Sequence, residues 1–474
     1  MKKAEDVKKK LAYNRKNFWI DTTKNEQKIA LKFSEGYKKY LSACKTERES
    51  ISYTIEELRA KSFVSIEEAA NKSSKLVYRV FKNKAMAIAV IGKSPISKGI
   101  NIIGSHIDAP RVDLKQNPLY EDGETKLGLL RTHYYGGIKK YQWMSTPLAL
   151  HGVIIKHNGD KVYVNIGEHE NDPIFVMPDL LPHLAKEQMA KNASEFIQAG
   201  QMNVLFNSIP YIDEKDEVKD AIKLQALAML YEKYGIREED FLSAELQLVP
   251  AGKARDSGFD RSFVVGYGQD DRICAYTSIQ AILDVKEIDV NKTSVVFLFD
   301  KEEVGSDSVG GATSVFFVDF IADLLKLKHE DISGNNLRKT LINSNVISAD
   351  VNAGINPNFP SVHEATNAGH IGCGVILTKY TGARGKSSSN DATSEFMSKI
   401  IRIFEEEKVN WQTGSLGKVD EGGGGTIAKF LAIHGCDVID CGPGLLSMHS
   451  LYEVASKADV YSTYKAYKAF FVKA

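Results

Sequence analysis

At 474 residues the chain exceeds one ordinary compact domain, so two or more are expected. With 43% hydrophobic and 26% charged residues it is globular in composition, and a formal net charge of +0 demands no basic face, so neither nucleic acid nor an anionic membrane is expected as a partner. The charged start Met1-Lys-Lys-Ala-Glu-Asp leads into no apolar leader, no run is long enough to span a bilayer, and the scattered cysteines (Cys44, Cys274, Cys373, Cys436, Cys441) lack CxxC spacing, so reduced thiols and a cytoplasmic location are expected.

Residues 1 to about 72 read as helical. Lys28-Ile-Ala-Leu-Lys-Phe and Tyr37-Lys-Lys-Tyr-Leu recur at helical spacing, and Ser52 to Ala60 begins a second amphipathic segment. Two strand-like runs follow, Leu76 to Phe81 and Ala85 to Ile91, with Lys82-Asn-Lys between them as a hairpin turn. A third strand, from Asn101, ends in Ser105-His106-Ile107-Asp108-Ala109-Pro110. The character then changes. From Leu114 to about Pro250 there are turn residues, aromatics and alternating strands. His151 to Lys156 and Lys161 to Asn165 flank Asn158-Gly159, a strong hairpin signal. A helical piece from about Asp216 to Tyr234 closes this β-rich insertion.

From about Ala251 an α/β rhythm returns. Asp270-Asp271 opens a helix running through Ile282. Val295 to Phe299 is an unbroken apolar, β-branched run, which predicts a strand buried on both faces as in a parallel sheet. It ends in Asp300-Lys-Glu-Glu303, with a helix predicted from about Ser308 to Lys328. Further strands are expected at Val346 to Ala349, Gly374 to Thr378 and Asp437 to Cys441, and further helices at Asp391 to Glu407, after Gly422-Gly-Gly-Gly-Thr426, and at Ser456 to Phe471. The glycine run lacks the Gly-Lys-Ser/Thr ending of a phosphate loop, and Gly104-Ser105-His106 is not a nucleophile elbow.

Open α/β sheets place their sites where strands end. Five potential ligands sit at comparable places, mostly where a predicted strand ends: His106, Asp270, Glu303, Asp350 and His449. Each alone is equally a loop histidine, a helix N-cap or a turn cap. Together, mixed histidines and carboxylates suit a pair of divalent ions such as Zn²⁺, Mn²⁺ or Co²⁺. Such a pair needs one bridging carboxylate, and a non-ligating carboxylate to take the proton of the water between the ions. Glu302 beside Glu303 meets the second need. If His106 binds metal, Asp108 is placed to accept its other ring proton.

The set His106-x-Asp108, Asp270-Asp271, Glu302-Glu303, Asp350 and His449 resembles the co-catalytic zinc aminopeptidases. More narrowly, Asp300-Lys-Glu-Glu-Val-Gly-Ser306, Ser348-Ala-Asp350 and Ser447-Met-His-Ser450 resemble the family of aspartyl aminopeptidase and vacuolar aminopeptidase I, metallopeptidase family eighteen. The resemblance spans nearly the whole chain. It implies that His106, Asp270 and Asp350 bind one ion, and that Asp270, as the bridge, binds the other with Glu303 and His449. Glu302 would be general base and later general acid, and Asp108 would orient His106. Asp271 would follow a strained, often cis, peptide. His183, in Pro182-His-Leu184, is expected to reach a neighbouring subunit's active site and contact substrate; a rival assignment makes His106, His183 and His449 the zinc ligands. Asn356 stands where many relatives have histidine, and Lys379 to Ser389 differs from the corresponding segment of the aspartyl enzymes, a departure that bears on preference for acidic N-terminal residues. Lys379 and Lys386 are the cations available to attract an acidic side chain.

The expected fold is thus α/β: a central mixed, mostly parallel sheet flanked by helices, zinc-peptidase-like, in a discontinuous catalytic domain (1–113 and 251–474) with an inserted β-rich dimerisation domain (114–250). The expected activity is a dinuclear metal aminopeptidase that removes the N-terminal residue of small peptides by a metal-bridged water activated by Glu302. The resemblance further implies dimers gathered into a tetrahedral dodecamer enclosing the active sites. Two other readings are a metal-dependent N-acyl amino acid deacylase and a non-catalytic self-assembling scaffold; the paired Glu302-Glu303 weighs against the scaffold, which has no need of a base.

Overall fold

The computed structural model describes residues 4–72, 74–214 and 216–474; the first three residues of the expected helical start lie outside them. The strands that matter for the site are β1 (Leu76–Phe81), β2 (Ala85–Val90), β3 (Asn101–His106), β4 (Ser294–Phe299), β5 (Asn345–Ser348), β6 (Val375–Thr378) and β7 (Asp437–Gly442). They form one nine-stranded sheet in the order Val64–Ser65, β1, β2, β4, β3, β5, β7, β6, Trp411–Thr413. The centre is parallel, with β4 on β3, β3 on β5 and β5 on β7. The β1–β2 hairpin joins β4 antiparallel on one side, and β6 joins β7 antiparallel on the other. The sheet is therefore mixed, with a parallel heart.

The apolar run that predicted β4 is buried at every position. Alternation sends its side chains to two cores. Val296 and Leu298 join the layer under helices Lys24–Ala43, Gln269–Val285 and Lys457–Lys473, while Val295, Phe297 and Phe299 join the layer under Phe316–Leu327. Phe297 lies 5.1–5.8 Å, centroid to centroid, from the rings of Phe316, Phe317 and Phe320.

Residues 111–250 supply a second, wholly antiparallel sheet of six strands. Its Leu148–Ile155 and Lys161–Ile166 hairpin turns at Gly159, whose φ of +86° is easy only for glycine. A small five-stranded sheet joins Arg255–Ser257, Phe263–Gly266, Glu453–Ser456, Gly444–Leu446 and Asn352–Ala353.

Some boundaries differ from expectation. The helix after β4 starts at Phe316 rather than near Ser308, because Gly310 turns at φ +91° and its carbonyl accepts from Asp300 N at 2.9 Å, folding the segment back onto the strand end. The helix after the glycine run is only Ala428–Ala432. The piece expected from Asp216 begins at Ala221, after Asp220 at φ +50°; Lys215 lies outside the described residues.

Candidate functional site

The carboxyl ends of β3, β4 and β5 deliver His106, Glu302-Glu303 and Asp350 to one edge of the sheet. The start of helix Gln269–Val285 crosses that edge, with Asp270 and Asp271 outside helical φ/ψ and a cis peptide between them. The two imidazoles converge on one carboxylate. His106 Nε2 lies 3.2 Å from Asp270 Oδ1, and His449 Nε2 lies 3.1 Å from Asp270 Oδ2. His449 Nε2 is also 3.4 Å from Glu303 Oε2, and His106 Nε2 is 3.9 Å from Glu302 Oε2. Each ring is aimed from behind. His106 Nδ1 faces the Asp108 backbone oxygen at 3.0 Å and Oδ1 at 3.3 Å, and His449 Nδ1 faces the carbonyl of Gly137, on the six-stranded side, at 3.0 Å. Each Nε2 is left to the centre of the site.

Ligand atoms of His106, Asp270 and Glu303 lie within 4.8 Å of one another, and so do those of His106, Asp271 and Asp350. The structure thus brings the five candidate ligands to one place and adds Asp271, not among the expected ligands, to Asp350's side. It does not bring His183 there. That histidine sits on the exposed turn Pro182–Leu184 and, among the described residues, shares no hydrogen bond or ion pair with the five.

The donor set fits cations. Both Asp271 carboxylate oxygens and Glu303 Oε1 are buried without a hydrogen-bond partner among the described residues. Burial, and then the neighbouring carboxylates, push Asp350 and Glu303 well above the usual carboxylate range, and burial does the same to Asp271. Glu302 is pushed up to about 7, mainly by burial. Asp270 goes the other way. Burial opposes its charge, but hydrogen bonds from His106 and His449 outweigh that and hold it below the usual range. Burial likewise opposes charge on the imidazoles, yet their carboxylate partners win. His106 is raised well above its ordinary value, and His449 is raised to about 10. Crowded carboxylates without matching cations are what a divalent-metal site looks like from the protein's side.

Several supports escaped the sequence. Glu453, on the small sheet, accepts from Gln269 N (2.5 Å) and Asp270 N (3.1 Å) with Oε2, and from His449 N (2.8 Å) with Oε1, tying both ends of the site together. Its only sequence signal is an acidic residue four places after His449. Asp108 accepts from Glu302 N at 3.1 Å, Glu303 N at 3.2 Å and the Tyr135 hydroxyl at 2.6 Å. Thr426, after the glycine run, donates to buried Asp440 at 2.6 Å. Lys379 and Lys386 both pair with Asp391, at 3.0 and 2.7 Å.

Comparison with known proteins shows the family and the fold. Residues 40–471 match the family described as aminopeptidase I zinc metalloprotease (M18). A probable M18 family aminopeptidase 1 from Clostridium acetobutylicum is 49% identical over 460 residues, covering 96% of this chain and 97% of that protein. The crystal structure of an M18-family aminopeptidase from Thermotoga maritima aligns with a TM-score of 0.92 at 44% identity, covering 98% of this chain and 100% of that one. The crystal structure of aminopeptidase I from Clostridium acetobutylicum aligns with a TM-score of 0.90 at 46% identity, covering 97% and 100%.

Proposed function

The chain belongs to the aminopeptidase I zinc metalloprotease family, M18, and is a metallo-aminopeptidase; from that premise we propose a dinuclear site in which Glu302 is the general base. The observation that carries the reading is the convergence of His106 and His449 on opposite oxygens of Asp270, with Glu302 beside them at a raised pKa of about 7.

In this reading His106, Asp270 and Asp350 would hold one ion, and Asp270, Glu303 and His449 would hold the other. When bound, the ions, Zn²⁺ first and Mn²⁺ or Co²⁺ as substitutes, supply Lewis acidity to the scissile carbonyl and lower the pKa of the attacking water. Glu302 takes the water's proton at its carboxylate and hands it to the departing amine. A pKa near neutrality suits both directions of that transfer. Asp108 holds His106 in the tautomer that frees Nε2, as the Gly137 carbonyl does for His449.

Residues 114–250 are proposed as the dimerisation unit, and His183 as a substrate contact reaching a neighbouring subunit's site. Leu180, Leu181 and Leu184 around it are about half exposed or more, as an apolar segment awaiting a partner would be. Dimers gathered into a tetrahedral dodecamer would enclose the active sites and admit peptides but not folded proteins. A cytoplasmic location is proposed from the cysteines, all free and buried.

The test is hydrolysis of aminoacyl anilides of Asp, Glu, Leu, Met and Lys with added Zn²⁺, Mn²⁺ or Co²⁺. Chelator-sensitive release is expected, and its pattern reports whether acidic or apolar residues are preferred. No release from folded, metal-loaded protein, with release from N-acyl amino acids, would replace this reading by a deacylase.

A further inference from the structure

Asp108 is the node on which the centre is assembled. It is wholly buried, and its carboxylate serves both His106 and the Glu302-Glu303 turn. Oδ1 faces His106 Nδ1 at 3.3 Å and accepts from Glu302 N at 3.1 Å; Oδ2 accepts from Glu303 N at 3.2 Å. Rotation of this carboxylate would break its contact with His106 Nδ1, which also faces the Asp108 backbone oxygen at 3.0 Å, and would free the turn that carries Glu302. One further hydrogen bond opposes such rotation. The hydroxyl of Tyr135, the last residue of strand Gly128–Tyr135 in the six-stranded sheet, donates to Oδ2 at 2.6 Å.

Tyr135 is itself held. The residue is 9% exposed, and the Arg111 guanidinium lies 3.8 Å from the ring centroid. Arg111 is fixed by Asp113, 2.7 Å from Nε, and by buried Glu47, 3.6 Å from Nη1. Lys301 Nζ stands 5.1 Å from the same centroid, and Lys301 immediately precedes Glu302, at φ +70°. The ring therefore meets the Glu302 turn by a second route.

We propose that Tyr135 is a positioning residue for hydrolysis: its hydroxyl fixes the Asp108 carboxylate, and its ring, clamped by Arg111, steadies the turn that carries Glu302. The inference rests on the aminopeptidase reading for its catalytic consequence, but not for its effect on metal binding. A hydrogen bond to a buried carboxylate that orients a metal-binding histidine belongs to the class of supports whose loss weakens metal binding or activity about 10–100-fold.

The experiment compares Tyr135→Phe with wild type, with Tyr134→Phe as control. Tyr134 is the neighbour in sequence but is 39% exposed. Zinc affinity is measured by competition with a chromogenic chelator, and kcat and KM on an aminoacyl anilide. Tyr135→Phe keeps the ring and its cation contacts, so its fold is expected to hold. Zinc affinity should fall about 10–100-fold, and kcat should fall with KM unchanged, while Tyr134→Phe matches wild type. Wild-type zinc affinity and kcat in Tyr135→Phe would overturn the proposal. Should that variant not fold, Arg111→Lys serves instead: it keeps the charge beside Glu47 but loses the planar stack, and a smaller loss in the same two quantities is expected, with none overturning the proposal. If wild type itself releases no anilide, the aminopeptidase reading fails, and the positioning of His106 is judged on zinc affinity alone.

Discussion

Replacing Glu302 by glutamine should abolish turnover and, in the metal-free protein, raise stability as the pH rises. Burial lifts the Glu302 carboxyl from 4.5 to about 7 in the folded chain. A folded-state pKa above the unfolded value means that the folded protein holds the proton more tightly. Its contribution is intact below the unfolded pKa and is lost as pH climbs through the folded one. With those two values the ionisable side chain costs about 1 kcal/mol at pH 5 and about 3 kcal/mol at pH 8. Glutamine has the same shape and no charge to bury. The unfolding free energy of Glu302→Gln minus that of wild type should therefore grow by about 2 kcal/mol from pH 5 to pH 8. Glu453, raised to about 8, titrates at the top of this range and His449, raised to about 10, above it, but both are present in both proteins and largely cancel. The assay is urea unfolding of chelator-treated wild type and variant at pH 5, 6.5 and 8, followed by anilide hydrolysis after zinc is restored. A stability difference that stays flat with pH, or a variant less stable than wild type at pH 8, would refute the burial argument. Retained turnover with zinc bound would refute the general-base assignment, since a positioned base accounts for roughly 10²–10⁴ in rate.

Removal of metal by chelation should stop hydrolysis, and Zn²⁺, Mn²⁺ or Co²⁺ should restore it; release that survives full demetallation, verified by metal analysis, would count against a metal-dependent reaction. Asp350→Asn removes a carboxylate raised well above its usual range by burial and by Asp271, so the metal-free variant should be more stable than wild type at pH 8 while binding zinc more weakly; a variant that loses stability in the metal-free state contradicts the charge argument. Phe297→Ala should cost about 3–5 kcal/mol in urea unfolding, because a fully buried ring packed on three phenylalanines leaves a cavity; a loss below about 1 kcal/mol would mean that the Phe297 face of β4 is not core. His183→Ala mixed with Glu302→Gln, after dissociation and reassembly, should show activity above either parent if His183 acts across a subunit boundary, and no gain if it does not.

The parallel heart of the fold was legible because β3, β4 and β5 are short apolar runs whose ends carry charge, a pattern that local burial alone produces. Asp271 and Glu453 were not legible, for different reasons. Consecutive aspartates at a helix start read as a cap, and only the non-helical φ/ψ at Asp270 and Asp271 turns both toward the site. Glu453 sits on a strand of four residues whose partners, Phe263–Gly266 and Gly444–Leu446, are set by pairing between distant parts of the chain, which no local periodicity encodes. Tyr135 shares that difficulty. It lies 27 residues from Asp108 and reaches it only because two sheets meet there. His183 was legible as part of a family segment, and the chain's own fold leaves it on the exposed turn Pro182–Leu184, away from the five ligands.

The carboxylates explain why the supports are so many. Asp270, Asp271, Glu302, Glu303 and Asp350 crowd around two imidazoles, and burial raises four of those five carboxyls. Left to themselves, such groups would relax toward solvent or toward the nearest cation. Asp108 cannot move, because three donors and an imidazole surround it, and Glu453 cannot, because it holds three backbone N–H groups on two elements. Both are tied largely to the backbone of neighbouring elements, and Asp108 also to the Tyr135 hydroxyl. The strained charge arrangement is thus maintained by parts of the fold that are not themselves ligands, so that the energy of binding divalent ions goes into relieving repulsion already in place rather than into assembling the site.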